Sequence, residues 1–493
     1  MFEKLYSIKL PMDMARKELY IKGDSVDIHP EYICLQKGQF IDFSTYFNLF
    51  SVKKWKTYTS IQSIKLQLRI SGKYKVIVYN VSPIDKTILF TDTCQNDLEK
   101  IISLSDCSGN FLIFAIQALE DDVKVWNGAY WGEFEDTQNV DIGIIICTFK
   151  REEYVKRNLT ILQRLMQENP HFHVMVIDNG QTLPEICNEQ LQVIHNRNYG
   201  GSGGFTRGLI EQVNQGTNNY VLMMDDDILI ETSSLERVYA LCQHIKNQYA
   251  QQMIAGSMIS MDEPTIQYEN TAYWGKIRLH ALGKKFDLTR MAYLLQNDTI
   301  PEVINKYAAW WFCCIPIAVV KKNGYPLPAF IKSDDMEYGI RNRQDIITMN
   351  GIGVWHETFN KKENAVVNYF NDRNMLILNH YAFHCGRWSF LGTALGRLGK
   401  HILRRNKLGV QMFAVALQDY QSGYEHITSI DADQKLKQIQ QYHIDENICW
   451  TFIKNLILIS QIFWQYRLIH KQYIEFRCKN LKTQQFWENY LHL

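Results

Sequence analysis

The chain has 493 residues, 46% apolar and 13% aromatic, which is the composition of a folded protein and more length than one core usually organises. The formal net charge of +1 excludes a protein that holds nucleic acid across its whole surface, and the apolar content excludes a disordered chain. Two or three domains are expected.

The first eight residues carry Glu3 and Lys4 and no apolar run, so no secretory leader is predicted there. Eleven cysteines without CxxC spacing fit free thiols in a reducing cytoplasm. The adjacent Cys313 and Cys314 lie in an apolar run and are predicted to pack rather than to bind zinc. Residues 1–138 read as β, with strands at Ser63–Ile70, Lys73–Asn80 and Phe111–Ala118. Ser71-Gly72 is a two-residue hairpin signal between the first two, and a small β-sandwich is the natural packing.

At Asp141 the pattern changes. Short apolar strands are predicted at Ile142–Cys147, Phe172–Ile177, Leu191–His195 and Tyr220–Met224, with helices at Arg151–Glu168 and Gly204–Val213. This alternation predicts an α/β domain over 139–385 with a mostly parallel sheet and flanking helices, and such sheets take ligands beyond the carboxyl ends of their strands. Residues 386–493 are helix-forming and basic, with 14 Lys/Arg against 8 Asp/Glu. Arg387–Lys407 alone holds six Lys/Arg and no acid, interleaved with Trp388, Phe390, Leu391, Leu395, Leu398 and Leu403. That segment reads either as a solvated helix packed on its neighbour or as one lying on an anionic membrane surface. Ile448–Tyr466 is apolar but broken by Lys454, Asn455 and two glutamines, and is predicted as a buried or interfacial helix rather than a spanning one.

Polar residues close four successive apolar strands: Thr148-Phe149-Lys150-Arg151, Asp178-Asn179, Asn196-Arg197-Asn198 and Asp225-Asp226-Asp227. Aligned endings of this kind gather hydrogen-bonding groups on one sheet edge. Three adjacent carboxylates repel one another unless a cation relieves them. In extended backbone Asp225 and Asp227 project to the same side and could share one hard divalent ion, Mn²⁺ or Mg²⁺, leaving Asp226 out. A solvated acidic turn is the plainer alternative.

Gly200–Gly208 misses both GxGxxG and Walker spacing; it reads as a flexible loop or as a close-approach loop and helix start, centred on Gly204, facing a sugar or phosphate. In Ser333-Asp334-Asp335-Met336-Glu337, Asp334 and Glu337 have capping-box spacing, which leaves Asp335 over as a candidate general base. Trp310 and Trp311 face opposite ways if extended, so at most one lines a pocket. His356, after Val354-Trp355, is a structural histidine or a ligand.

Taken together these residues resemble the family 2 glycosyltransferases of GT-A fold, and more narrowly the galactofuranosyltransferases that polymerise galactan. The motifs that carry the likeness are Cys147-Thr148-Phe149, Asp225-Asp226-Asp227, Trp310-Trp311, Ser333-Asp334-Asp335-Met336-Glu337 and Trp355-His356, in that order. The resemblance implies an N-terminal β-sandwich, a GT-A catalytic domain and a helical C-terminal domain. It implies Asp225, Asp227 and His356 as ligands of Mn²⁺ or Mg²⁺, and Asp335 as the base. Thr148, Phe149, Arg151, Asp178 and Asn198 would hold the uridine and its ribose, and Trp310, Trp311 and Glu269 would help to seat sugars; beside them Gly204 and Asp226 are donor-side candidates, and Asp334 and Glu337 acceptor-side candidates. The activity implied is inverting transfer of galactofuranose to a glycan or lipid-linked glycan, in the cytoplasm or at the inner face of the membrane. Alternatives are another donor (UDP-galactopyranose or dTDP-rhamnose) and a non-catalytic carbohydrate-binding protein. A homo-oligomer is compatible with this reading.

Overall fold

In the N-terminal strands every second residue is apolar, which obliges each strand to lay one face on a core. The computed structural model describes residues 1–301, 303–343, 345–358, 364–442, 448–481 and 483–493. Among them, Phe2–Glu133 forms two antiparallel sheets. One contains Phe2–Ile8, Ser63–Ser71, Leu98–Ser103 and Val123–Glu133; the other contains Phe40–Asp42, Lys73–Val81, Lys86–Gln95 and Phe111–Ala118. Leu66 and Leu68 of the first share a core cluster with Val76, Val78, Phe114 and Ile116 of the second.

The hairpin expected at Ser71-Gly72 does not form, because Ser63–Ser71 and Lys73–Val81 belong to different sheets. The phase of the alternation explains why. A two-residue loop would set Ile70 opposite Lys73 and turn Tyr74, Val76 and Val78 to the face away from Leu66 and Leu68. Crossing between sheets puts both sets in one core, and Gly72, at φ 103°, makes the crossing.

The central sheet has 11 strands. Its first part runs β1 (Ile142–Thr148), α1 (Glu152–Glu168), β2 (Phe172–Asp178), β3 (Leu191–His195), α2 (Gly200–Gln215) and β4 (Tyr220–Asp225). These four strands lie side by side in the order β3-β2-β1-β4, all parallel. After α3 (Thr232–His244) come β5 (Met253–Ser260), β6 (Phe312–Pro316), α4 (Asp334–Asn342) and β7 (Ile346–His356). Here the sheet departs from the mostly parallel arrangement expected: β6 is antiparallel to both β4 and β5, while β7 is parallel to β5. The two faces carry separate cores. Ile144 and Ile146 share a core cluster with Val155 and Leu162 of α1, whereas Ile145 belongs to a second cluster with Phe205 and Leu209 of α2.

From Ala365 onward the chain is helical: α5 (Ala365–Leu378), α6 (Arg387–Leu403), α7 (Lys407–Ser429), a helix at 432–440, α8 (Ile448–Phe476) and α9 (Gln484–Leu491). Phe390, Leu398, Phe413, Leu417, Leu458, Ile462 and Tyr466 form their shared core. α8 is apolar on two sides. Leu458, Ile459, Ile462, Tyr466 and Ile469 are buried, while Trp450, Ile453, Ile457, Trp464 and Leu468 face solvent at helical spacing. Among the described residues no helix is long and apolar enough to cross a membrane.

Candidate active site

Register aligns the strand ends. Thr148 pairs with Asp178 and Cys147 with Asp225, so the polar termini of β1, β2 and β4 share one edge of the sheet. The short strand Leu229–Ile230 pairs with the end of β7, Leu229 opposite Trp355, and this folds His356 back over the triplet. His356 Nε2 stands 3.1 Å from Asp227 Oδ1 and 3.6 Å from Asp225 Oδ2. One ligand atom from each of Asp225, Asp227 and His356 lies within 4.8 Å of the others.

The donor set suits a hard to borderline divalent cation such as Mn²⁺ or Mg²⁺. Nδ1 of His356 donates to the carbonyl of Glu357 at 2.6 Å. A carbonyl can only accept, so Nδ1 carries the proton and Nε2 is the nitrogen turned toward the two carboxylates. Burial pushes the Asp225 carboxyl up to about 6, with His356 opposing the rise. At Asp227 burial is outweighed by the hydrogen bond and charge of His356 and by Arg151, so this carboxyl stays well below the usual range. Burial also works against charge on His356, but Asp227 and Asp225 more than offset it and raise the imidazole.

Asp226 turns away from the cluster. It accepts from Thr148 Oγ1 at 2.7 Å and from Arg151 Nη1 at 3.0 Å, and Arg151 also reaches Asp227. Its carbonyl accepts from Asn158 Nδ2 of α1 at 2.8 Å. The motifs did not point to Asn158. The readable signal was a polar residue on the buried Val155–Leu162 stripe of α1.

Asp335 is half-buried at the start of α4, and Met336 N donates to its Oδ1 at 2.7 Å. Burial raises both Asp334 and Asp335, and the charge of Asp334 adds to the rise at Asp335. Asp225 acts on Asp335 electrostatically, and Lys332 acts on Asp225, Asp334 and Asp335 alike, which gathers the second acidic pair near the first cluster. The motifs did not point to Lys332 either, and its position two residues before Asp334 was the available hint. Glu269 closes the strand Ile266–Glu269; it and Asp335 both act on Tyr307. Burial pushes Glu269 up to about 7, with Lys284 opposing.

Several expectations change. Ser333, at φ 68°, is the residue before α4 and offers no side-chain cap, so Asp334 is the first helical residue instead of the cap. Glu337 is 1% exposed and ion-paired with Arg341 (2.8 Å) within the helix. Gly204 lies inside α2, where a Cβ would stand 2.2 Å from Cys147 Sγ, so close helix–strand packing by itself calls for glycine there. The whole Gly200–Gly204 run is helical instead of a loop. Trp310 and Trp311 are both buried, on opposite faces of the sheet. Trp310 meets Phe205 and Tyr338 edge-on, and Trp311 donates to the carbonyl of Gly256 at 2.9 Å. Asp178 is spent on its own loop, accepting from the amides of Gly180, Thr182 and Leu183. Asn198 accepts from Gly200 N, and Phe149 is 45% exposed at the rim.

Residues 139–356 match the family described as glycosyltransferase like family 2, and residues 23–133 match the galactofuranosyltransferase 2 N-terminal family. The galactofuranosyltransferase GlfT2 of Mycobacterium tuberculosis is 25% identical over 484 residues, covering 85% of this chain and 72% of that protein. GlfT2 of Mycolicibacterium smegmatis is 24% identical over 459 residues, covering 85% and 70%. Among solved structures, residues 1–349 of S. aureus TarS in complex with UDP show 13% identity and a TM-score of 0.37, covering 66% of this chain and 91% of that one.

Proposed function

We propose that this chain, a glycosyltransferase with a family 2 domain at 139–356, moves a galactofuranosyl unit from UDP-galactofuranose to a glycan or lipid-linked glycan hydroxyl with inversion. The observation that carries the reading is the convergence of Asp225, Asp227 and His356 at the strand edge, with Asp335 on the neighbouring helix. The 25% likeness to a galactofuranosyltransferase supports the donor assignment.

Asp225, Asp227 and His356 would hold the divalent ion, Mn²⁺ or Mg²⁺, which supplies positive charge for a departing diphosphate. Thr148 and Arg151 steady Asp226, and the Arg151 guanidinium would also meet a phosphate of the donor. Asp335 takes the proton of the acceptor hydroxyl. The freed oxygen forms its bond to the anomeric carbon from the face opposite UDP, and the carbon–oxygen bond to the nucleotide breaks with its electron pair on phosphate. A raised carboxyl pKa makes Asp335 a stronger base for that proton. Glu269 and Asp334 would border the acceptor side and Phe149 and Asn198 the uridine side, with Asp178 holding the loop behind them.

The chain would work peripherally at the inner face of the cell membrane. The solvent-facing apolar stripe of α8 and the exposed Trp388, Leu395 and Leu403 of α6, set among Arg387, Lys400, Arg404 and Arg405, support this. Trp388 packs on Phe463, which joins the two stripes.

The test is transfer from UDP-galactofuranose, UDP-galactopyranose and dTDP-rhamnose to short galactoside acceptors, scored by nucleotide release and product analysis. Activity is expected with the first donor, absent in EDTA, and abolished by Asp335→Asn with UDP-sugar binding intact. Full activity in EDTA removes the metal role, and preference for another donor moves the chain to the rival reading.

A further inference from the structure

The segment from Ala329 to Ser333, which leads into α4, places three non-glycine residues in the left-handed region: Phe330 (φ 69°), Lys332 (φ 66°) and Ser333 (φ 68°). Side chains rarely adopt that conformation, so it persists only where neighbours hold it. Two elements do so. From α2, Ser202 Oγ accepts from Phe330 N at 3.0 Å and Ser202 N donates to Phe330 O at 3.2 Å. From α5, the amide nitrogen of Asn374 lies 3.1, 2.9 and 2.8 Å from the carbonyls of Ala329, Ile331 and Lys332. Arg373 donates from Nε to Asn374 Oδ1 at 2.9 Å, which fixes which end of the amide faces the loop, and from Nη2 to Ala329 O at 2.9 Å. Asn374 and Arg373 are each 3% exposed.

The same helix is tied into the C-terminal helices. Asp372, fully buried, pairs with Arg397 and with His401 Nε2 (2.8 Å), both on α6, and Arg373 donates to Tyr369 OH at 3.3 Å, which in turn donates to Asp419 of α7.

We propose that Asn374, oriented by Arg373, is a positioning residue for transfer: it clamps the left-handed loop that sets where α4 begins, and so aims Asp335 at the acceptor hydroxyl. The C-terminal helices thereby act on the chemistry through the Asn374 amide, with Arg373 beside it on Ala329 O. The proposal rests on the reading of Asp335 as the base.

A merely structural asparagine and a positioning one predict different kinetics. With metal-loaded full-length protein, UDP-galactofuranose and a galactoside acceptor, Asn374→Ala is expected to lower kcat by about 10- to 100-fold while KM for the donor changes little. Asn374→Asp has the same size but turns an acceptor toward three carbonyls, so it is expected to fall below Asn374→Ala. Wild-type kcat in Asn374→Ala overturns the clamp, as does a matched rise in donor KM with loss of thermal stability. Equal activity of the Ala and Asp variants overturns it too. Asp335→Asn measured alongside separates the two readings: if it transfers sugar, the base assignment is wrong, whatever Asn374 does.

Discussion

Glu269 offers a sharp test of the electrostatics around the site. It is 7% exposed, and burial raises its carboxyl from 4.5 to about 7, with Lys284 too weak to cancel the effect. A carboxyl raised on folding binds its proton more tightly in the native state. Stability from this group is therefore complete below about pH 4.5 and is lost as pH rises to about 7. The loss is about 3 kcal/mol at pH 8, on the order of 1.4 kcal/mol for each pH unit between the two values. Glu269→Gln cannot ionise and escapes it. Urea unfolding of both proteins, followed by tryptophan fluorescence from pH 4.5 to 8, should give curves that coincide within about 0.5 kcal/mol at the acid end. They should diverge until the variant is about 3 kcal/mol more stable at pH 8. A difference that does not change with pH would show that Glu269 ionises normally and that burial does not raise its carboxyl.

Two further outcomes are expected. Gly204→Ala should destabilise the chain by about 1–3 kcal/mol in thermal unfolding, and Cys147→Ala in the same chain should restore most of it; lost UDP-sugar binding at unchanged stability would instead make Gly204 a ligand contact. Trp388→Glu with Trp464→Glu should cut co-sedimentation with anionic vesicles at low salt by about tenfold and leave transfer to a soluble acceptor unchanged. Undiminished sedimentation of the variant, or none by the wild type, refutes the membrane face.

The strand ends were legible because their cause is local: apolar runs such as Val221–Met224 stop where polar residues begin, and β4 indeed ends at Asp225. Asp225 and Asp227 do come together, but across a turn and not by the two-residue repeat of an extended strand, since the strand stops at Asp225; His356 needed the family likeness, because its approach depends on the pairing of Leu229 with Trp355 across more than a hundred residues. The helix through Gly200–Gly204 was hidden since four glycines argue against one; they fit because Tyr199, Cys147 and Phe330 stand where side chains would go, and propensity holds no record of such neighbours. The failed hairpin was avoidable, as the phase change between Ile70 and Lys73 was present in the letters. The Glu337–Arg341 pair was likewise visible as an i, i+4 spacing. The outward stripe of α8 was not legible, because a helix apolar on both sides does not say which side is covered.

Arg237 of α3 is 1% exposed; its guanidinium lies over the ring of Tyr6 and donates to the carbonyls of Phe47, Ser233 and Gly351. Two of those partners come from the first fifty residues and one from β7. During synthesis the first strand leaves the ribosome more than two hundred residues ahead of Arg237, so Tyr6 and Phe47 gain this partner only once the middle of the chain has been made. A fragment that starts at the central sheet would carry a buried cation stripped of its cover. The N-terminal sheets and the central sheet thus share one buried cation whose partners neither supplies alone.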